Sequence, residues 1–349
     1  MRYSFKARVI TIFAAVLFST LALSQANVQE YHLLKKVAFG VTPDGREYFD
    51  YISVDPSSRR VYLSHGAEVL VVDADTGSLL GKVSGLELSH GVAVVPDLRR
   101  GFITDGAKGK IVIFDLKSLK VIGEANAAKD ADSIVYDPAS KHVFSFNDDS
   151  HSSTVIDPAT GRVIGTIDLG GAPEFAVADG RGMIYNNLED KSEVIAIDSR
   201  TRVVKSRWSI SPAGAPAPLA IDREHRRLFV AGRNPQMVAL MDADNGKVLQ
   251  ALPISAGADA CVFDPARQLL FVSTREGWIH IFHEDSPTHL AESGKVKTEY
   301  GAKTMGFDPR TSRIFVDTAE FKEQLPDAEH PHPRPIPVPN TFHLLIYEP

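Results

Sequence analysis

Charged side chains that could bind a charged ligand recur along this sequence at nearly regular intervals. They are Asp50, His90, Asp132, Glu174, Asp259 and Lys303, and the intervals between them are 40, 42, 42, 85 and 44 residues. Carboxylate oxygens and imidazole nitrogens are ligands of divalent cations, whereas a lysine binds anionic groups. Residues so far apart in sequence meet at one site only if the chain repeats one structural unit and places them at the same point of each unit.

One such unit is clearest at residues 131–170, ADSIVYDPASKHVFSFNDDSHSSTVIDPATGRVIGTIDLG. Apolar and β-branched residues form four short runs there, at 133–136, 142–146, 154–156 and 162–167. Runs this short, separated by Asp-Pro, Asp-Asp-Ser and Asp-Pro-Ala-Thr-Gly, predict antiparallel strands joined by tight turns. The unit is therefore predicted to be a four-stranded meander, whose strands are called A, B, C and D in chain order.

Seven copies of this unit follow one another. The residues that end strand A are Asp55, Val95, Asp137, Asp179, Asp222, Asp264 and Asp308, at intervals of 40 to 44 residues. The residues that end strand C are Asp73, Asp115, Asp157, Asp198, Asp242, His283 and Tyr347, at intervals of 41 to 44 residues until a last interval of 64. Four strands per unit and a period near 42 residues predict an all-β, seven-bladed β-propeller of four-stranded antiparallel blades.

The two ends of the chain predict how the ring closes. The last copy stops just after its strand C, and residues 32–40, HLLKKVAFG, match strand D of the first blade, SLLGKVSG at residues 78–85. We therefore expect the N-terminal strand to complete the last blade, which removes two open sheet edges. The long last interval places a proline-rich insertion, residues 320–340, between strands B and C of that blade. Because alternate prolines cannot join a sheet ladder, we expect it to form an extended loop. Residues 27–349 are predicted to form one domain.

The first 26 residues have the order of a secretory signal peptide: basic residues, a short apolar run, then Ser24-Gln25-Ala26. We expect cleavage after Ala26, a periplasmic or secreted protein without a lipid anchor, and no membrane span in the mature chain. Removal of the leader leaves 35 basic against 44 acidic residues, a net charge of −9 with His neutral. This charge argues against nucleic acid or an anionic lipid surface as a partner, and a monomer is expected.

The second copy carries a family resemblance. Residues 91–128, GVAVVPDLRRGFITDGAKGKIVIFDLKSLKVIGEANAA, resemble the YVTN repeat, in which GVAV-x-PDG is followed by YVAN and V-x-VID. The resemblance extends over the mature chain, with departures at Asp179-Gly180 and at the proline-rich insertion. The resemblance implies that the chain is a member of the YVTN-repeat, YncE-like family of extracytoplasmic seven-bladed propellers. Membership implies secretion and a binding platform, and it leaves the ligand open.

The predicted fold places the charged residues at equivalent positions in different blades. Each stands five residues before the end of a strand A, and Ala217 holds this position in blade 5. Because strand A of a propeller starts beside the central channel, these positions should form a ring around the channel mouth on one face, here called the top face. We predict a divalent cation, Ca²⁺, Mg²⁺ or Zn²⁺, held by Asp50, His90, Asp132, Glu174 and Asp259. The alternative is a water-filled mouth with solvated charges.

The B–C loops reach the same face and add a second set of candidates. They include His65, Asn147, Arg233 and Arg275. Together with Lys303, the two arginines and Asn147 are predicted to bind the anionic groups of a ligand. The centre of the proline-rich insertion, HPHPR at 330–334, could cover the mouth as a lid or could meet a partner.

Three functions remain open at this face. The first is binding of a small molecule, a metal ion or a partner peptide. The second is a metal-dependent hydrolase or lactonase, in which His90 or His65 moves a proton beside Asp132. The third is a non-catalytic protein-interaction scaffold. The sequence has no G-x-S-x-G elbow, no H-E-x-x-H pair and no phosphate-binding loop, which argues against a serine hydrolase or a nucleotide enzyme.

Overall fold

The computed structural model describes residues 1, 30–42, 45, 47–325 and 333–349. These residues form seven four-stranded antiparallel sheets and one small two-stranded sheet. The fold is the predicted all-β, seven-bladed propeller. The predicted leader, residues 1–26, lies outside the described residues except for Met1. Within the described part of the chain, none of the helices has the length and apolar character needed to cross a bilayer.

Blades 1 to 3 follow one another along the chain. They contain β2 (Phe49–Asp55), β3 (Arg60–His65), β4 (Glu68–Asp73) and β5 (Leu79–Ser84); β6 (Ser89–Val95), β7 (Arg100–Asp105), β8 (Lys110–Asp115) and β9 (Val121–Asn126); and β10 (Ala131–Asp137), β11 (His142–Asn147), β12 (Ser152–Asp157) and β13 (Arg162–Asp168). Two short 3₁₀ helices, Pro96–Leu98 and Glu189–Lys191, lie in connecting loops.

Blades 4 to 6 repeat the same order. They contain β14 (Pro173–Ala178), β15 (Met183–Leu188), β16 (Glu193–Asp198) and β17 (Val203–Ser209); β18 (Pro216–Asp222), β19 (Arg227–Arg233), β20 (Gln236–Asp242) and β21 (Val248–Pro253); and β22 (Ala258–Asp264), β23 (Leu269–Thr274), β24 (Trp278–Ser286) and β25 (His289–Lys297). In blade 6, β24 continues past the predicted end at His283, because Ser286 still pairs with His289.

Blade 7 closes the ring as predicted. It consists of β26 (Met305–Asp308), β27 (Arg313–Thr318), β30 (His343–Glu348) and the N-terminal strand β1 (His32–Ala38). In the ladder between β1 and β30, Val37 lies opposite Leu344 and Lys36 opposite Leu345. The two ends of the chain are therefore held in one sheet.

The core lies between neighbouring blades. Strands B and C are buried along nearly their whole length because both faces of each sheet pack on an adjacent sheet. Between blades 1 and 2, for example, Tyr62 and Val71 pack with Ile103 and Phe114. Seven such interfaces fix the position of the inner strand A in each blade, and so the positions of the side chains around the channel.

The proline-rich insertion departs from the sequence-based expectation. Instead of a loop without ladder pairing, its described ends form a two-stranded hairpin, β28 (Phe321–Lys322) and β29 (Ile336–Pro337). Phe321 lies opposite Pro337 in this pair. A proline is tolerated there because the hairpin is only two residues deep and has free edges. The centre of the insertion, residues 326–332 with His330 and His332, lies outside the described residues.

Removal of β1 should destabilise the ring. A chain that starts at Phe39 leaves β30 as an open edge, so we expect a lower melting temperature and stronger self-association than for the chain that starts at residue 27. A loss of about 3 kcal/mol would lower the melting temperature by roughly 4–5 °C for a domain of this size. The control is Leu33→Ser, which changes an exposed residue of β1. An unchanged melting temperature after the truncation would contradict the closure described above.

Candidate functional site

The charged ring forms at a break in the sheet register. In blades 1 to 6 the pairing of strands A and B is irregular near the start of strand A, for example between Phe49 and Ile52 and between Ser89 and Val92. A β-bulge bends the strand and frees residues from the ladder. Hydroxyl groups of strand B satisfy the freed backbone: the amide of Asp50 donates to Ser64 Oγ at 3.0 Å. The ring side chains therefore project from bulges.

One half of the ring is built around an imidazole. Nδ1 of His90 lies 2.8 Å from Asp50 Oδ2 and 3.2 Å from Asp132 Oδ1. The hydroxyl of Tyr48 donates to Asp50 at 3.1 Å, and that of Tyr51 donates to Asp132 at 2.9 Å. Burial alone would lower the pKa of His90, but hydrogen bonds to Asp132 and Asp50 and their charges raise it to about 10. His90 is therefore an imidazolium at neutral pH, held between two carboxylates.

The other half is built around a guanidinium. Nη1 of Arg233 donates to Glu174 Oε1 at 3.1 Å and to Glu189 Oε1 at 2.9 Å, and Nη2 donates to Asp259. The ammonium of Lys303 donates to the second oxygen of Asp259. Burial would raise the pKa of Asp259, but the charges of Lys303 and Arg233 lower it below its ordinary value. One arginine and one lysine thus pair with three carboxylates on this side of the mouth.

The two halves form a single network. Nζ of Lys303 lies 4.0 Å from Asp50 Oδ1, which connects the guanidinium side to the imidazolium side. Burial raises the pKa of Glu174 well above its ordinary value, and burial also raises that of Asp132. The ring is therefore a partly buried network in which three cations, those of His90, Arg233 and Lys303, pair with five carboxylates.

The predicted metal ligands separate into two groups. Asp50, His90 and Asp132 each offer one ligand atom, and these atoms lie within 4.8 Å of one another, so they could hold a cation. Glu174 and Asp259 instead face Arg233. A metal that binds Nδ1 of His90 must displace the proton that the two aspartates stabilise there. For the same reason His90 cannot accept a proton as a general base at neutral pH.

Two other sequence candidates lie inside the sheets. His65 has no exposed surface; its Nε2 contacts Glu47 Oε1 at 2.8 Å and its ring stacks on Phe342. Asn147 is also fully buried, and its amide donates to the carbonyl of Ser152 at 3.1 Å. Neither side chain is accessible from the channel mouth, because internal contacts hold both of them.

A pocket of about 330 Å³ opens beside the ring on the same face. It lies between the start of β2, the loop before β26 and the insertion hairpin. Its aromatic walls are Tyr48, Phe49 and Phe321, and its cations are Arg275, Lys303 and Arg334. The described end of the insertion thus forms one wall of this pocket.

The pocket carries uncompensated positive charge. Its one acid, Glu47, is already bound by His65 and by the amide of Asn340, which donates at 2.6 Å. No acidic residue of the described chain forms an ion pair with Arg275 or Arg334. A cleft of about 480 Å³ on the far side of the hairpin is larger, but it carries three glutamates and no ring residue.

The sequence did not predict that Tyr48 and Tyr51 belong to the ring. Tyr48 and Tyr51 flank Asp50, and the hydroxyl of Tyr51 reaches across the channel to Asp132, 81 residues away. The alternation of side chains along a strand would place Tyr48 and Asp50 on one face and Tyr51 on the other, so the bulge hides the signal.

No protein-family model matches the chain, and no curated protein sequence matches it. Solved structures show the fold. A chain of Kuenenia stuttgartiensis hydrazine synthase has a TM-score of 0.68 and 16% identity over 76% of this chain and 91% of its own. A chain of the mitotic checkpoint complex has a TM-score of 0.71 and 12% identity, covering 99% of both chains. U3-55K has a TM-score of 0.72 and 10% identity over 90% of this chain and 98% of its own. At identities this low, the structural similarity shows the propeller fold alone. Ligand and partner binding are common on this scaffold.

The raised pKa of His90 predicts how its contribution to stability depends on pH. Since the folded-state pKa of His90 lies above the ordinary value of 6.5, its contribution to stability is complete below about pH 6.5 and is lost as the pH rises towards 10. NMR titration should find the His90 ring protonated at pH 8. His90→Gln should lower the free energy of unfolding by about 3 kcal/mol, because Asp50 and Asp132 lose their shared donor. A ring that titrates near pH 6.5, or a variant as stable as the parent, would contradict this assignment.

Proposed function

We propose that this protein is an exported, YVTN-type (YncE-like) propeller that binds a small organic anion in the top-face pocket. The ligand is a carboxylate on an apolar or aromatic body. Its anionic group contacts Arg275 and Arg334, and its apolar body lies against Tyr48, Phe49 and Phe321.

Sequence features support the family and the export. The first 26 residues have the composition and order of a cleavable leader, and residues 91–128 resemble the YVTN repeat. The chain forms no internal disulfide, since its one cysteine, Cys261, is buried and unpaired. Its core instead consists of the seven sheet interfaces.

The observation that carries the proposal is that Arg275 and Arg334 lie beside an apolar wall and that no acidic residue of the described chain pairs with either of them. A guanidinium can donate two parallel hydrogen bonds to a carboxylate, and it does so more strongly where aromatic rings exclude water. Lys303 adds positive potential although Asp259 already binds it. The pocket volume of about 330 Å³ is at the lower end of the range for small-molecule sites.

The charge of the ring explains why the ligand goes to the pocket. Around the channel mouth carboxylates outnumber cations, but each carboxylate already has a cationic partner or a hydroxyl donor within the ring. In the pocket the imbalance has the opposite sign. Because a bound anion removes that imbalance without breaking an existing ion pair, it is the ligand class that the electrostatics favours.

A second candidate is a divalent cation at Asp50, His90 and Asp132. The convergence of their three ligand atoms within 4.8 Å favours it. Against it stands the proton of His90, which a metal must displace at a pKa of about 10. A hydrolase at the same place would need that metal, since His90 is not a free base at neutral pH.

Ligand-induced stabilisation tests the proposal. The probes are small carboxylates of increasing apolar size, from acetate through benzoate to indole-3-acetate, each paired with its neutral amide. At ten times its dissociation constant a bound carboxylate should stabilise the fold by about 1.4 kcal/mol, a rise of roughly 2 °C in melting temperature. The amides should give no comparable rise, because they lack the charge that Arg275 and Arg334 recognise.

Variants of the pocket complete this experiment. Arg275→Gln and Arg334→Gln should each abolish the carboxylate-dependent rise while leaving the melting temperature of the free protein nearly unchanged. Arg99→Gln is the matched control, because Arg99 is a well-exposed arginine on the opposite face. Equal effects of carboxylates and amides, or a rise that persists in both pocket variants, would contradict the proposal.

A further inference from the structure

The face opposite the pocket has its own charge pattern, at the seams between blades. The residue just before strand B has a positive φ in every blade, as at Arg59 and Arg226. At two seams this residue is an arginine that reaches the aspartate ending strand A of the preceding blade. Arg226 donates to Asp179 at 3.2 Å, and Arg59 donates to Asp308 at 2.7 Å. These two seams are closed by a cation.

The seam between blades 5 and 6 has no such arginine. The equivalent residue is Gln268, with φ 56°, and its amide donates to the carbonyl of Pro265 at 2.8 Å. The aspartate it would reach, Asp222, is buried. In place of the missing cation the seam contains a second carboxylate, Glu284.

Glu284 occupies a position that blades 1, 4 and 5 fill with a small residue, Ala74, Ser199 and Ala243. Its amide donates to the carbonyl of Gln268 at 2.8 Å, as the amide of Ala243 does to Arg226 and that of Ala74 to Arg59. The side chain of Glu284 has no exposed surface. No described residue makes a hydrogen bond to either of its carboxylate oxygens. A fully buried carboxylate without a donor has no structural reason to replace an alanine, so it points to a missing cationic partner.

The other groups at this seam are a histidine and the turn aspartate. Nδ1 of His225 lies 2.6 Å from Asp222 Oδ2 and 3.9 Å from Glu284 Oε2. One ligand atom from each of the three residues lies within 4.8 Å of the others. The first oxygen of Asp222 accepts the amide of Glu224 at 2.9 Å, which orients the carboxylate. The side chain of His225 is 35% exposed, so the cluster is open to solvent on one side.

The neighbouring cation is directed elsewhere. Arg227 pairs with Asp242 at 3.1 Å and donates to the carbonyl of Pro287 at 2.5 Å. The two facing carboxylates therefore lack an arginine or lysine between them.

We propose that Asp222, His225 and Glu284 bind a divalent transition-metal ion such as Zn²⁺, which joins blades 5 and 6 at the face opposite the pocket. Two carboxylate oxygens and one imidazole nitrogen suit zinc better than Mg²⁺ or Ca²⁺, which prefer oxygen alone. The solvent-exposed side of His225 provides the entry path and a place for a water ligand. The ion takes the position that a guanidinium has at the seams of Asp179 and Asp308.

Zinc titration of the chelator-treated mature protein tests this site by calorimetry at pH 7.5. The expected result is about one equivalent bound, with a rise in melting temperature. Glu284→Ala and His225→Ala should each weaken binding by at least about tenfold to a hundredfold, since even outer-shell changes have effects of this size. Glu284→Ala should fold as well as the parent, because Ala74 and Ala243 occupy the same position in blades 1 and 5.

Asp132→Asn distinguishes this site from the channel mouth and should bind zinc like the parent. The proposal is overturned if the parent protein binds no zinc, because a proton shared between Asp222 and Glu284 then holds the seam. It is overturned equally if Glu284→Ala binds zinc like the parent, or if binding disappears in Asp132→Asn alone. None of these three outcomes depends on whether carboxylates bind the top-face pocket.

Discussion

The ion pairs of Arg233 are the interaction on which the top face depends. Seven inner strands converge on one channel and bring six ionisable side chains to its mouth, where water is largely excluded. Such a concentration of charge is stable only if every group finds a partner. The guanidinium binds Glu174, Glu189 and Asp259 at once, and Lys303 continues the network towards the imidazolium half. The channel mouth is therefore a structural element that holds the blades in register.

Because the cations of the ring pair with its own carboxylates, we propose the pocket beside the ring as the functional site. There the insertion and the B–C loop of blade 6 place Arg334 and Arg275 beside aromatic walls, and no acidic residue of the described chain pairs with either arginine. On the opposite face no arginine or lysine of the described chain lies between Asp222 and Glu284, whereas Arg59 and Arg226 close two other seams. The proposed anion site on one face and the proposed cation site on the other thus both follow from charges that the described residues leave unpaired.

Most of the fold could be predicted from the sequence. For the charged ring, the sequence predicted which residues belong to it but not which of them pair. A constant period fixes the register of every blade, so the ring positions of Asp50, His90 and Asp132 and the closing role of the N-terminal strand could be derived. The pairing could not, because the reach of Arg233 to Glu174 spans 59 residues and depends on side-chain direction at a bulge. The pocket could not be derived either, because it exists only where the insertion folds back as a hairpin that includes Pro337.

The central claim is that the charges at the mouth satisfy one another, and a double-mutant cycle on Arg233 and Asp259 tests it most directly. Urea unfolding should show that Arg233→Met costs about 2–4 kcal/mol, since the guanidinium is partly exposed and three carboxylates lose their partner. Asp259→Asn should be much less damaging in the Arg233→Met background than in the parent, a coupling of about 1–3 kcal/mol. Strictly additive effects, or an Arg233→Met variant as stable as the parent, would contradict the claim that the charges at the mouth stabilise one another. Either result would instead favour a cation site at the mouth.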